Sequence, residues 1–198
     1  ITSSKGALQV TSTNQTDTSA SADGSQVDSG KTSVGVGAAV ALNAGISTNV
    51  ATVGENAAVN TVGLTISAKN AAGEKSDAKA TAKSGAGAGD VGVAGSLAAS
   101  VVVNTTVAAL EGDSTSDADT KGAVVNAHNG DILIEAANET TSTVTSGADV
   151  KGTDAAAKVG VGASIGVNVA VNTIVAEAGD NSESTNGKNF GLNAKADH

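Results

Sequence analysis

The chain has 198 residues with 25 Gly and a single aromatic residue, and it contains no Pro, Cys, Met, Trp or Tyr. Its formal charge is −9, and every one of its 11 basic residues is Lys. This composition excludes disulfides and thiolate metal sites. The lack of Arg, of aromatic platforms and of basic clusters argues against nucleic-acid binding, and the absence of an apolar run of 18 residues argues against membrane insertion.

The interior of the protein has to be built without aromatic bulk, because Phe190 is the only aromatic side chain. Such a core is filled by Val, Ile, Leu and Ala. We therefore expect thin, regular, stacked layers.

The first long pattern along the chain runs from Val34 to Val53. It follows a hydroxyl-rich β segment over 6–21 and a predicted turn over 23–31, and it alternates aliphatic with small residues. Because successive strand side chains point to opposite faces, this alternation predicts a long strand with its valines on one face.

The same block occurs twice more, and a shorter apolar element recurs between the copies. The offset from the leading valine to the valine of the second cluster is 16 in each copy: Val34 to Val50, Val91 to Val107 and Val159 to Val175. The shorter element reads Leu8-Gln9-Val10, Leu64-Thr65-Ile66, Ile132-Leu133-Ile134 and Leu192-Asn193-Ala194.

These repeats predict a single β-repeat array over residues 1–198. Its units span about 6–56, 57–122 and 123–188, with a partial unit over 189–198. Tight turns are predicted over 54–56 and, from Asn-Gly, over 128–131. Two acidic stretches, 112–122 and 179–188, are predicted to be solvated loops.

The acidic loops contain the candidate metal ligands. Hard cations such as calcium prefer clustered oxygen ligands on loops. The candidates are Asp113, Asp117 and Asp119 in the first loop, with Asp180 and Glu183 in the second. Calcium is the one cofactor considered, and the alternative is a plain solvated loop.

Catalytic chemistry is not expected. The only histidines are His128, in a predicted turn, and His198 at the terminus, so no base is placed beside a nucleophile. The acidic residues lie in or beside loops, without an apolar pocket to shift a carboxyl pKa. The sequence predicts that the protein is not an enzyme.

Two segments resemble the repeats of filamentous-haemagglutinin-like and giant bacterial surface adhesins. They are ATVGENAAVNTVGLTISA, over 51–68, and KGAVVNAHNGDILIEA, over 121–136. The VGVGAS…VNV…NTxxA block resembles units of very large secreted β-strand-repeat proteins. The resemblance implies an all-β, right-handed β-helix or β-solenoid on the bacterial cell surface. It brings no catalytic residues.

The residues alone leave a second fold open. Constant parity over about 20 residues also fits an antiparallel long-strand meander or roll with hairpins at 22–33, 84–90 and 151–155. In either fold the Gly, Ala and Ser face of each long block would let a second sheet, or a neighbouring molecule, approach closer than the usual ~10 Å. That small face is expected to serve lateral association or to face solvent.

The function expected is that of a structural or adhesive module of an extracellular surface fibre. It would self-associate through strand edges and flat faces, with cell-surface or matrix carbohydrate as a further partner. The alternative is a carbohydrate- or ice-binding β-solenoid module. Sugar binding usually uses aromatic platforms, which are absent here, and ice binding would use a flat Thr-rich face such as Thr140, Ser142 and Ser146. A polysaccharide-lyase-type enzyme lacks its catalytic cleft residues here.

Overall fold

The computed structural model describes residues 1–25, 34–87, 90–113, 121–151 and 159–197, and every regular element in those ranges is a β-strand. Within these residues no helix is long and apolar enough to cross a membrane. The strands are β1 (Leu8–Asn14), β2 (Thr18–Ser25), β3 (Val34–Val53), β4 (Ala58–Asn60), β5 (Leu64–Asn70), β6 (Ser76–Gly87), β7 (Val91–Leu110), β8 (Val124–Asn126), β9 (Ile132–Lys151), β10 (Val159–Ala178), β11 (Glu183–Thr185) and β12 (Phe190–Asp197).

The strands form three sheets. A six-stranded sheet has the order β1-β5-β9-β6-β2, with β12 also paired to β9. The first half of β9 pairs with β5 and β12, and its second half pairs with β6. The other sheets have the orders β10-β7-β3 and β11-β8-β4. The all-β prediction is confirmed.

Every ladder between the described strands is parallel. The predicted antiparallel meander is therefore wrong. Each long block pairs with the other long blocks, and not with the segment that precedes it. Parallel alignment places equivalent residues of the blocks side by side. Val34, Val91 and Val159 are paired across β3, β7 and β10, and the alignment predicted for the three blocks is confirmed.

The small face of the long strands is buried against a second sheet, one of the expected arrangements, and the aliphatic face is the exposed one. In β3 the face that carries Gly, Ala, Ser and Asn is buried, and the aliphatic face is exposed. Ala41 is 3% exposed, whereas Val36 is 65% and Ile46 is 80% exposed. The small face therefore does not face solvent. It packs on β2, β6 and the second half of β9 in the six-stranded sheet.

The reason lies in how closely these two sheets approach. A Cβ placed on Gly37 would lie 2.1 Å from the carbonyl oxygen of Gly85, so no side chain fits between the backbones there. At a position as close as this there is no room for a branched aliphatic side chain. Most of the branched side chains of the long strands lie on the outer side of the sheet.

Most of the bulky aliphatic side chains in the interior lie at the other end of the long strands. There the β11-β8-β4 sheet covers the first half of the six-stranded sheet and the last residues of β3 and β7. The largest fully buried apolar side chains lie in this cluster: Leu64, Ile66, Leu110, Val125, Ile132 and Ile134. The expected aliphatic core is confirmed in this region.

Asparagine and glycine shape the turns between strands. The amide of Gly130 donates to the carbonyl of Ala127 at 2.7 Å, which confirms the predicted Asn-Gly turn. His128 and Asn129 have positive φ in this turn, at 40° and 64°. The His128 side chain is exposed and its Nε2 contacts Oδ1 of Asn60.

Candidate functional site

The largest exposed apolar surface is the outer side of the β10-β7-β3 sheet. We call it the apolar face. It has nine outward positions on each of the three strands, and none of them is charged. On β3 these positions are Val34, Val36, Ala38, Val40, Leu42, Ala44, Ile46, Thr48 and Val50, and their partners lie beside them on β7 and β10.

In-register pairing arranges the apolar face in rows that cross the three strands. One row is the smallest, formed by Ala38, Gly95 and Ala163. A row with larger side chains begins at Ile46, the most exposed aliphatic side chain of the described residues. The face therefore has a shallow transverse groove. The row of Val40, Leu97 and Ile165 beside the groove is also bulky, and we call the row of Ile46, Val103 and Val171, eight residues along the strands from the groove, the ridge.

The opposite side of the molecule is hydrophilic. The outward residues of β2, β6 and the second half of β9 form a polar face with rows such as Ser19, Lys79 and Thr143. Hydrogen bonds from Ser25, and the nearby positive charge of Lys83, lower the pKa of Asp23 on this face. The two-sheet part of the molecule thus has one charged side and one uncharged, aliphatic side.

Between the two sheets, several small polar side chains hydrogen-bond to one another. Nδ2 of Asn104 donates to Oγ1 of Thr140 at 2.8 Å and to Oδ1 of Asn172 at 2.9 Å. The hydroxyls of Ser96 and Ser146 lie 2.8 Å apart. Because buried polar groups need partners, these contacts fix how the sheets sit on each other.

The predicted flat binding face of Thr140, Ser142 and Ser146 is wrong. Thr140 is buried, and the hydroxyls of Ser142 and Ser146 bond across the interior to Asn168 and Ser96. The parity of β9 explains this, since the even positions that bury Ile132 and Ile134 also turn residues 140, 142 and 146 inward. These three residues do not form an outward surface.

Two of the calcium candidates are adjacent. The amide of Asp113 donates to the carbonyl oxygen of Asp180 at 2.8 Å, so the starts of the two acidic loops lie side by side. Glu183 belongs to β11 and is paired with Val124, not placed in a loop. Asp117 and Asp119 lie outside the described residues.

Asp113 and Asp180 line a shallow depression. Three further carboxylates line it too, although they were not among the calcium candidates: Glu55, Glu111 and Glu177. The sequence could have indicated these three carboxylates, because each lies within two residues of the end of a long strand. Over the described ranges, no group of three or more His, Cys, Asp or Glu side chains could hold a metal ion. Calcium binding stays a prediction.

Comparison with known proteins adds no relative. No protein-family model matches the chain, and no match was found among curated proteins or among solved structures. The likeness to filamentous adhesins stays a hypothesis that depends on the sequence motifs. The geometry of the two faces and of the strand edges is the remaining guide to function.

Proposed function

We propose that this chain is a β-solenoid module of an extracellular surface fibre and that it acts through its shape, not through catalysis. The observation that carries the proposal is the set of parallel, in-register ladders, in which each group of strands recurs in the same chain order. A solenoid is the arrangement in which the chain makes one circuit and returns a single strand spacing further along.

The long blocks illustrate this geometry. Val34, Val91 and Val159 are neighbours across the ladder although 57 and 68 residues separate them in sequence. Parallel neighbours need a long crossover connection, and here the intervening strands supply it within the other sheets. Successive circuits would then rise by about 4.8 Å each along a common axis.

The last long strand supports growth of the stack. On the inward side of β7, Ala98 and Ser100 are buried, whereas their partners Gly166 and Asn168 on β10 are exposed. Among the described strands β10 pairs only with β7, so its other edge is open. Another circuit, or another copy of the chain, would cover both the edge and the exposed inward side, and open edges readily pair with other strands.

Electron microscopy of the 198-residue chain over a range of concentrations tests the proposal. We expect rods that lengthen at constant width as concentration rises. Ala170→Lys places a charge on the exposed inward side of β10 and should prevent lengthening. Thr145→Lys, on the polar face, is the matched control and should form rods like the wild type. Isolated compact particles at every concentration would contradict the proposal.

The ice-binding alternative lacks the outward face named for it, because Thr140 is buried and Ser142 and Ser146 bond across the interior. A thermal hysteresis assay still tests the ice-binding form directly. Zero activity there removes it.

A further inference from the structure

The apolar face is as large as one side of a protein–protein interface. Nine outward positions on three strands make it about 55 Å long and about 14 Å wide, or roughly 800 Å². Exposed apolar patches on soluble monomers seldom exceed a few hundred Å², and a stable interface buries about 800 Å² on each partner. The area therefore suits one complete protein partner.

The chemistry of the face restricts that partner. Its outward positions hold aliphatic, small and threonine side chains only, so a charged partner surface would be left uncompensated. An anionic membrane is disfavoured by the net charge of −9 and by the lack of basic and aromatic anchors on the face. A flat, regularly spaced aliphatic sheet matches a second sheet of the same spacing.

We propose that two copies of this chain pair through their apolar faces, with the long strands antiparallel across the interface. The inference rests on the proposed fibre role and deepens it, since it names the surface and the partner for lateral association. A two-fold axis that lies in the plane between the two faces and runs across the strands makes the strands antiparallel, and two-fold dimers are the commonest assemblies.

The rows of the face fit such an axis. If it passes through the row of Leu42, residues four positions on either side meet, so the ridge at Ile46 lies over the groove formed by Ala38, Gly95 and Ala163. Large side chains then enter the space left by small ones, twice in each dimer. The polar faces, with their charges, remain outside.

Filling the groove is the sharpest test. A Cβ on Gly95 has only the carbonyl oxygen of Ala163 nearby, at 4.0 Å, so Gly95→Leu is tolerated in one molecule. In the dimer the added side chain collides with the Ile46 ridge at both symmetric contacts. We expect the dimer dissociation constant to rise at least about thirtyfold by sedimentation equilibrium.

Gly147→Leu is the matched control. Gly147 lies on the polar face, and a Cβ there would meet nothing within 4 Å. This variant makes the surface more apolar and should dimerise like the wild type. If Gly95→Leu also dimerises like the wild type, or if both variants weaken dimers equally, the specific pairing is overturned.

A second variant and a second readout complete the test. Ile46→Lys buries a charge at both contacts and should abolish the face-to-face dimers, with an unchanged circular dichroism spectrum. A wild-type chain that stays monomeric at millimolar concentration overturns the inference, as does one that binds vesicles of phosphatidylcholine and phosphatidylglycerol as a monomer.

Failure of this inference can be told apart from failure of the proposed fibre. If dimers are lost in Gly95→Leu while rods still lengthen, each at half the wild-type thickness, both proposals stand. If the wild type forms rods but never dimers, only the face pairing fails. If it forms dimers that never lengthen, only the fibre fails.

Discussion

The carbonyl oxygen of Ala38 lies only 1.7 Å from the point where a Cβ on Gly24 would stand. The backbones of β2 and β3 are therefore in direct contact at this position, far closer than the ~10 Å usual between stacked sheets. Only glycine fits such an approach. This contact explains why the small residues of the long strands face inward and why the valines face outward.

Adding a methyl group in this layer should be strongly destabilising. We expect Gly37→Ala to lower the free energy of unfolding by about 3 kcal/mol, because its Cβ would overlap the carbonyl oxygen of Gly85. Gly147→Ala has open space and should change stability by no more than about 0.5 kcal/mol. Urea unfolding followed by circular dichroism gives both values, and equal effects would show that the sheets are further apart.

Truncating a buried isoleucine and truncating an exposed one should have very different effects on the free energy of unfolding. Ile66 is fully buried in the aliphatic core, so Ile66→Ala should lower the free energy of unfolding by about 3–4 kcal/mol. Ile46 on the apolar face is 80% exposed. Ile46→Ala should change the free energy of unfolding by less than about 0.5 kcal/mol at a protein concentration low enough to keep dimers dissociated. A larger loss at Ile46 than at Ile66 would mean that the long strands bury their aliphatic side.

The polar contacts between the sheets make a separate prediction. Asn104→Ala removes the donor to both Thr140 and Asn172 in a buried layer and should lower the free energy of unfolding by about 2 kcal/mol. Thr105→Ala, the next residue on the same strand, points outward and should have little effect. Chemical denaturation of the two variants measures the difference, and similar values would argue against an interior role for Asn104.

Stability should depend on pH through Glu135. The hydrogen bond from Nζ of Lys69 lowers the pKa of Glu135 below its ordinary value of 4.5, burial opposes this shift, and the hydroxyl of Ser67 adds to it. The unfolded state then binds protons more readily than the folded state as the solution is acidified. The stabilisation is therefore fully present above pH 4.5 and is lost as the pH falls through the folded pKa.

We expect Glu135→Gln to be less stable than the wild type at pH 7 by under about 1 kcal/mol, as befits a partly exposed ion pair. The difference should shrink as the pH falls below 4.5 and vanish below the folded pKa of Glu135. Urea-unfolding midpoints of the wild type and Glu135→Gln, measured from pH 7 to below pH 4.5, test this prediction. Lys69→Met should flatten the same part of the profile, and an unchanged profile in that variant would exclude the ion pair as the cause.

Much of the local structure could be predicted from the sequence. The three 20-residue strands β3, β7 and β10 begin at the predicted valines, because an unbroken period of two is a property of the chain itself. The Asn-Gly turn at residues 129–130 was predicted for a similar local reason, since both residues favour tight reversals. The polar stretch that forms the second half of β9 was not predicted as a strand, since its pairing with β6 is not local.

The sequence by itself determined the three long valine-rich strands, their alternation and the alignment of the three long blocks, since these depend on residue types at fixed spacings. Only the tertiary structure decided that the ladders are parallel and that the valines face outward. Both depend on distances between segments far apart in the chain, above all the close approach of β2 and β6 to β3 that Gly24 and Gly37 permit. An alternating pattern defines two faces, but it is the packing of a second sheet that determines which of them is buried.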